Sequence, residues 1–165
     1  KGIVTFQGNP LTLLGSEIKT GDTAPDFQVL NASLSPVSLQ TFKGKTKLIS
    51  VVPSLDTPVC DQQTRRFNVE AGKLSENISV LTISMDLPFA QSRFCSVAGI
   101  NKIQVLSDYK DASFGLAYGV LIKELRLLSR AIFVVNSDNK VIYVEHVKEI
   151  TNHPNYEAVL QFLKK

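Results

Sequence analysis

Two cysteines, Cys60 and Cys95, are the only thiols in the 165 residues, and the residues leading to the first are arranged to make it reactive. The segment Pro53-Ser54-Leu55-Asp56-Thr57-Pro58-Val59-Cys60 follows a β-rich apolar run, residues 48–52, and opens a helical stripe. Thr57 is a favoured N-cap residue. Pro58 then falls at the first helical position, where its missing N–H costs nothing. In that register Cys60 is the third helical residue. Its sulfur lies in the first turn, where unpaired backbone N–H groups and the positive end of the helix dipole favour an anion. Such a setting raises the thiolate fraction, and the thiolate is the nucleophile. Thr57, one turn away, carries a hydroxyl able to donate to the sulfur or to a bound oxygen. Pro53 ends the strand beside the site and shields it from bulk water.

Cys95 lies in a second predicted helix, residues 89–98. No Cys-x-x-Cys pair is present, which disfavours a dithiol of the thioredoxin kind. A second thiol on a separate helix suits a scheme in which a sulfenic acid at Cys60 is condensed by Cys95 into a disulfide. Because bridging needs Cα atoms within roughly 7 Å, one or both helices must then partly unwind. Ser92, Ser96 and Gly99 make the second helix a modest one. Arg130 opens the apolar run Ala131-Ile132-Phe133-Val134-Val135. It reads either as an edge arginine reaching water or as a guanidinium that crosses the sheet end to stabilise the thiolate and bind peroxide oxygen. Both cysteines also admit the plainer reading of small core residues. Two rival uses of the pair remain: a redox sensor that passes its oxidation to a partner protein, and a static structural disulfide.

The elements that must position these groups follow from periodicity. Residues 3–14 read as a hairpin turning at Gln7-Gly8-Asn9-Pro10. Residues 20–31 are a loop with short extended pieces. Residues 48–52, 78–85 and 103–106 are buried strands. Between them, Cys60, Thr64, Phe67, Ala71 and Leu74 share one helical stripe, and residues 89–98 form a helix ended by Gly99. Residues 112–118 make one or two helical turns. Residues 129–135 and 141–147 form a hairpin about Asn136-Ser137-Asp138-Asn139-Lys140. Residues 155–163 form a closing amphipathic helix, and residues 119–128 have no clear assignment. Strands alternating with helices, then a hairpin and a helix, imply an α/β thioredoxin-like fold. It has a central mixed β-sheet flanked by helices on both faces and an N-terminal β-hairpin extension.

Composition sets the bounds. The length suits a single domain spanning residues 1–165, large enough to fold without staples. Hydrophobic residues make up 44% and charged residues 20%, an ordinary globular balance. Net charge is +3 with the signs interspersed. The clusters Lys43-Gly44-Lys45-Thr46-Lys47 and Arg65-Arg66 read as solvated faces, so no nucleic-acid partner is expected. No run approaches a membrane span. The first residues, Lys1 to Gln7, alternate and turn without the apolar stretch of a signal peptide. A cytoplasmic protein is expected, and in that compartment free cysteines do chemistry more often than they bridge a fold. His146 and His153, the only histidines, make no metal-ligand pattern. Asp56 and Asp61 read as solvation of the helix start. No glycine-rich phosphate loop is present.

Taken together, these motifs resemble the peroxiredoxins, and among them the bacterial thiol peroxidases of the atypical two-cysteine type. The resemblance rests on Pro53, Thr57 and Cys60 in a P-x-x-x-T-x-x-C pattern, Arg130 before its apolar strand, and Cys95 as second thiol. It extends to residues 6–11 (FQGNPL), 21–27 (GDTAPDF) and 83–95 (ISMDLPFAQSRFC) and covers essentially the whole chain. It implies reduction of hydrogen peroxide and alkyl hydroperoxides without a metal or organic cofactor. Cys60 would be the peroxidatic residue and Cys95 the resolving one, joined in an intrachain disulfide. Pro53, Thr57 and Arg130 would bind substrate. Thioredoxin as reductant and a homodimer are implied as well.

Overall fold

The computed structural model describes residues 4–164. The described residues form eleven strands and four α-helices. In order they are β1 (Val4–Phe6), β2 (Asn9–Leu11), β3 (Leu13–Leu14), β4 (Val29–Leu30), β5 (Pro36–Val37) and, after a 3-10 turn at Leu39–Phe42, β6 (Thr46–Val51). Then come α1 (Pro58–Ala71), β7 (Ile78–Ser84), α2 (Pro88–Ala98), β8 (Gln104–Ser107) and α3 (Ser113–Ala117). β9 (Leu121–Ile122), β10 (Ala131–Val135), β11 (Val141–His146) and α4 (Tyr156–Leu163) complete the chain.

Seven strands form one mixed sheet in the order β11-β10-β6-β7-β8-β4-β5. β6, β7 and β8 are parallel and the outer pairings are antiparallel, giving the expected thioredoxin-like sheet with its extension. The central strands are apolar because both faces are covered. Leu48, Val80, Ile132 and Val134 pack under Phe67 of α1 and Val159 and Leu160 of α4. The alternate residues Ile49, Val51, Leu81, Ile83 and Phe133 face Phe114 of α3, Tyr118 and Phe27. That second face carries an aromatic cluster, with Phe114 stacked on Tyr118 at 4.4 Å between centroids. Among the described residues no helix is long and apolar enough to cross a membrane.

Three expectations are corrected. The N-terminal hairpin turns on Gln7-Gly8 alone, both at positive φ, and Asn9 and Pro10 already belong to the returning strand. Proline is tolerated there because the two-stranded ribbon leaves its edge free of a ladder. Ile3, where that hairpin was expected to begin, lies outside the described residues with Lys1 and Gly2. Leu13 and Leu14 leave the hairpin and pair with β9, which accounts for much of residues 119–128. Lys47 is not solvated. It is buried, and its Nζ donates to Asn139 Oδ1 at 2.8 Å and to the Asn136 carbonyl at 3.3 Å, tying β6 to the 136–140 turn.

Candidate active site

The loop between β6 and α1 brings the sequence-predicted residues to the end of the parallel strands. Val52 extends the sheet by donating its N–H to the Ile83 carbonyl at 3.1 Å, and Pro53, buried, ends the ladder. The next turn is fixed from β7's side. Asp86 accepts the Ser54 hydroxyl at 2.8 Å on one oxygen and the Leu55 N–H at 2.8 Å on the other. Thr57 is the extended N-cap of α1 and Pro58 follows at the first position. The Thr57 hydroxyl neither caps the helix nor donates to the sulfur. It donates to the Ser54 carbonyl at 2.9 Å. That engages the proton but leaves oxygen lone pairs, so Thr57 is set to accept a hydrogen bond rather than to give one.

Cys60 is fully buried against Val52, Leu55 and Phe94. Its Sγ receives Nη1–H of Arg130 at 3.3 Å. Arg130 does not reach for water: it is 2% exposed and immediately precedes β10, an interior strand. Four of its five N–H donors are engaged. Nη1 also donates to Gln63 Oε1 at 2.9 Å, while Nε and Nη2 donate to the Ile150 carbonyl at 3.0 and 2.6 Å. Gln63 is held in turn by donating Nε2–H to Ser50 Oγ at 2.7 Å. A buried guanidinium with a sulfur as one of its partners favours negative charge developing at that sulfur, since Coulomb attraction is strong away from bulk water.

Gln63, Ser50 and the Ile150 carbonyl escaped the sequence reading. Gln63 had a usable signal, because residues 60, 63, 64 and 67 share one buried face of α1 and a polar member of such a face needs a partner. In front of the guanidinium lies a depression of about 410 Å³. Pro53, Thr57 and Arg130 lie on its wall with Phe6, Val59, Leu125, Leu127 and Ile150, so the surroundings of the polar spot are apolar. Cys60 itself, fully buried, does not line this depression.

Cys95 stands apart from that group. It is half-buried in α2, its thiol pushed up by burial, and it lines a different depression of about 340 Å³ with Gln91, Ile100 and Leu106. Its neighbour Phe94 takes the place against Cys60. Both cysteines are free thiols. Only Pro88 and Gln91 of α2 are fully buried, so the turn carrying Cys95 is lightly held. The other candidates lie elsewhere. Asp61 pairs with Arg65 on the surface, His153 meets the Tyr156 hydroxyl at 2.7 Å, and His146 packs edge-on against Phe133.

A thiol in the first turn of a helix, backed by a guanidinium from the neighbouring strand of a thioredoxin-like sheet, defines a cysteine-based redox protein. The chain belongs to the redoxin family, whose pattern matches residues 19–160. It is 60% identical over 162 residues to the thiol peroxidase of Oceanobacillus iheyensis, covering 98% of each chain. To the thiol peroxidase of Halalkalibacterium halodurans it is 59% identical over 161 residues, covering 98% of this chain and 96% of that one. The crystal structure of a peroxiredoxin-like protein from Aquifex aeolicus superposes with a TM-score of 0.93 at 41% identity, covering 99% of this chain and 96% of that one. Identity of this order over nearly the whole length sets the chain among the bacterial thiol peroxidases, as the resemblance implied.

Proposed function

We propose that the whole chain acts as one thiol-dependent peroxidase that reduces hydrogen peroxide and alkyl hydroperoxides at Cys60. The observation that carries the proposal is the buried contact of Arg130 Nη1 with Cys60 Sγ at 3.3 Å. A thiolate attacks the terminal peroxide oxygen, the O–O bond breaks, and the remaining oxygen leaves as water or an alcohol after taking a proton. The sulfur is oxidised to a sulfenic acid and the peroxide is reduced. Arg130 supplies fixed donors where charge develops on the sulfur and the departing oxygen, and Thr57 accepts the peroxide O–H. Because Cys60 is buried, the turn of Thr57 to Val59 opens slightly to admit the substrate.

In the second step the Cys95 thiol attacks the sulfenic sulfur, water leaves, and a Cys60–Cys95 disulfide forms. The light anchoring of α2 supports this step, since the Cys95 turn can unwind toward the first turn of α1 without exposing a large core. A thioredoxin dithiol then reduces the disulfide and restores both thiols. No metal or organic cofactor enters the scheme. The setting proposed is the cytoplasm, with a homodimer covering the apolar rim where Phe6 and Leu125 are exposed.

The test is a titration of the reduced protein with hydrogen peroxide, followed by mass spectrometry and by turnover with thioredoxin. One equivalent should remove about two hydrogens and join Cys60 to Cys95. Inert thiols in a folded, reduced sample would overturn the proposal. Oxidation without thioredoxin-driven turnover would point to a sensor.

A further inference from the structure

The segment that anchors Arg130 is itself anchored by a carboxylate. Glu149 is bonded to neither Arg130 nor the sulfur and reaches into the turn of the N-terminal hairpin. One of its oxygens accepts the Thr5 hydroxyl at 2.7 Å and the Gly8 N–H at 2.9 Å. The other accepts the Gln7 N–H at 3.0 Å, the Thr151 N–H at 3.1 Å and the Thr151 hydroxyl at 2.7 Å. Five accepted bonds fill the capacity of a carboxylate that could otherwise be left to water. The left-handed turn at Gln7 and Gly8 is what aims two consecutive N–H groups at it. Backbone bonds run beside the clamp: Thr5 N–H donates to the Lys148 carbonyl at 2.6 Å, and Ile150 N–H donates to the Thr5 carbonyl at 2.9 Å.

The clamp therefore joins two walls of the depression in front of Arg130. Phe6 lies in the clamped hairpin, and Ile150 is the residue next to Glu149. We infer that Glu149 is a positioning residue that determines specificity: by clamping the hairpin to residues 148–151 it holds Phe6 as a wall for the organic part of a hydroperoxide. The inference rests on the peroxidase reading. A bulky hydroperoxide needs that wall. Hydrogen peroxide has no organic part to seat, and Arg130 keeps a separate anchor in Gln63. Discrimination between the two substrates thus depends on a carboxylate that touches neither the substrate nor the sulfur.

The experiment compares second-order rate constants for oxidation of Cys60 by cumene hydroperoxide and by hydrogen peroxide, in the parent and in three variants. Glu149→Gln turns one acceptor oxygen into a donor facing other donors. Thr5→Val removes a single bond of the clamp, and Phe6→Ala removes the wall. The ratio of the cumene to the hydrogen peroxide rate constant should fall about tenfold in Glu149→Gln and Phe6→Ala, the size expected for a lost apolar contact. It should fall less in Thr5→Val. Combining Glu149→Gln with Phe6→Ala should lower it no further. A ratio within about twofold of the parent in either single variant overturns the inference, as does an equal loss on both peroxides. If Glu149→Gln does not fold, an unchanged ratio in Thr5→Val decides against it. A parent that reacts with neither peroxide would instead refute the peroxidase reading.

Discussion

Replacing Arg130 by alanine separates what the guanidinium does for the fold from what it does for the chemistry. The side chain makes four donor contacts: two to the Ile150 carbonyl, one to Gln63 and one to the Cys60 sulfur. Its removal strands the Gln63 and Ile150 oxygens in a buried site, at about 1–3 kcal/mol each, so stability should drop by about 2–6 kcal/mol. It also removes a preorganised donor from the reacting sulfur and the departing oxygen. Loss of such a donor costs about 2.7–4 kcal/mol of transition-state stabilisation, or roughly 10²–10³ in rate. Arg130→Lys keeps the charge, but one ammonium cannot serve the Ile150 carbonyl, Gln63 and the sulfur together, so it should fall between the parent and alanine. Urea unfolding measures the first effect. Rapid-mixing single-turnover oxidation by hydrogen peroxide, on samples shown to be folded, measures the second. A folded Arg130→Ala whose rate stays within about threefold of the parent would refute the assignment of electrostatic work to this residue.

Other outcomes follow from the same geometry. Cys60→Ser should consume no peroxide, and turnover at the parent rate would remove Cys60 from the mechanism. Cys95→Ser should take up one equivalent and then stall with thioredoxin as sole reductant; continuous turnover at parent speed would exclude Cys95 as the resolving thiol. Asp108 accepts the Phe114 and Gly115 N–H groups at 2.9 and 2.8 Å, yet burial pushes its carboxyl up to about 6 from 3.8. A raised folded value means the folded state holds the proton more tightly. The contribution is full below about pH 4 and is lost as pH rises through about 6. Thermal unfolding should therefore show the parent gaining on Asp108→Asn as pH falls from 7 to 4, and parallel curves would refute this. Gly15→Ala places a Cβ 2.1 Å from the Leu116 carbonyl oxygen at φ +97, so it should lose at least about 3 kcal/mol in urea unfolding.

What the sequence disclosed was local chemistry. Thr57 and Pro58 announce the start of α1 because capping depends on neighbours one to three residues away, and the Cys60 register follows from them. β-branched runs announce β6, β7 and β10 because both of their faces are covered. The opposite reading failed where a residue's fate depends on a distant partner. Lys47 looks like part of a basic surface cluster, but Asn136 and Asn139, some 90 residues on, make a buried site for it. Leu13 and Leu14 look like a hairpin continuing, and only β9 shows why they leave it. Gln63 is an unremarked amide until Arg130 arrives above it. The Thr57 hydroxyl was legible as a polar group near the sulfur, but its donation to Ser54 turns on the shape of the loop, which local propensity does not encode.

The anchoring of Arg130 also has a consequence in time. Cys60 leaves the ribosome about 90 residues ahead of Ile150, a lag of several seconds at about 5–20 residues per second. For most of that interval neither Arg130 nor β10 has been made, and Ile150, whose carbonyl holds the guanidinium, comes last. The donors that face the sulfur are therefore assembled late, when residues 130–150 fold back and carry both the guanidinium to Cys60 and the Ile150 carbonyl that holds it.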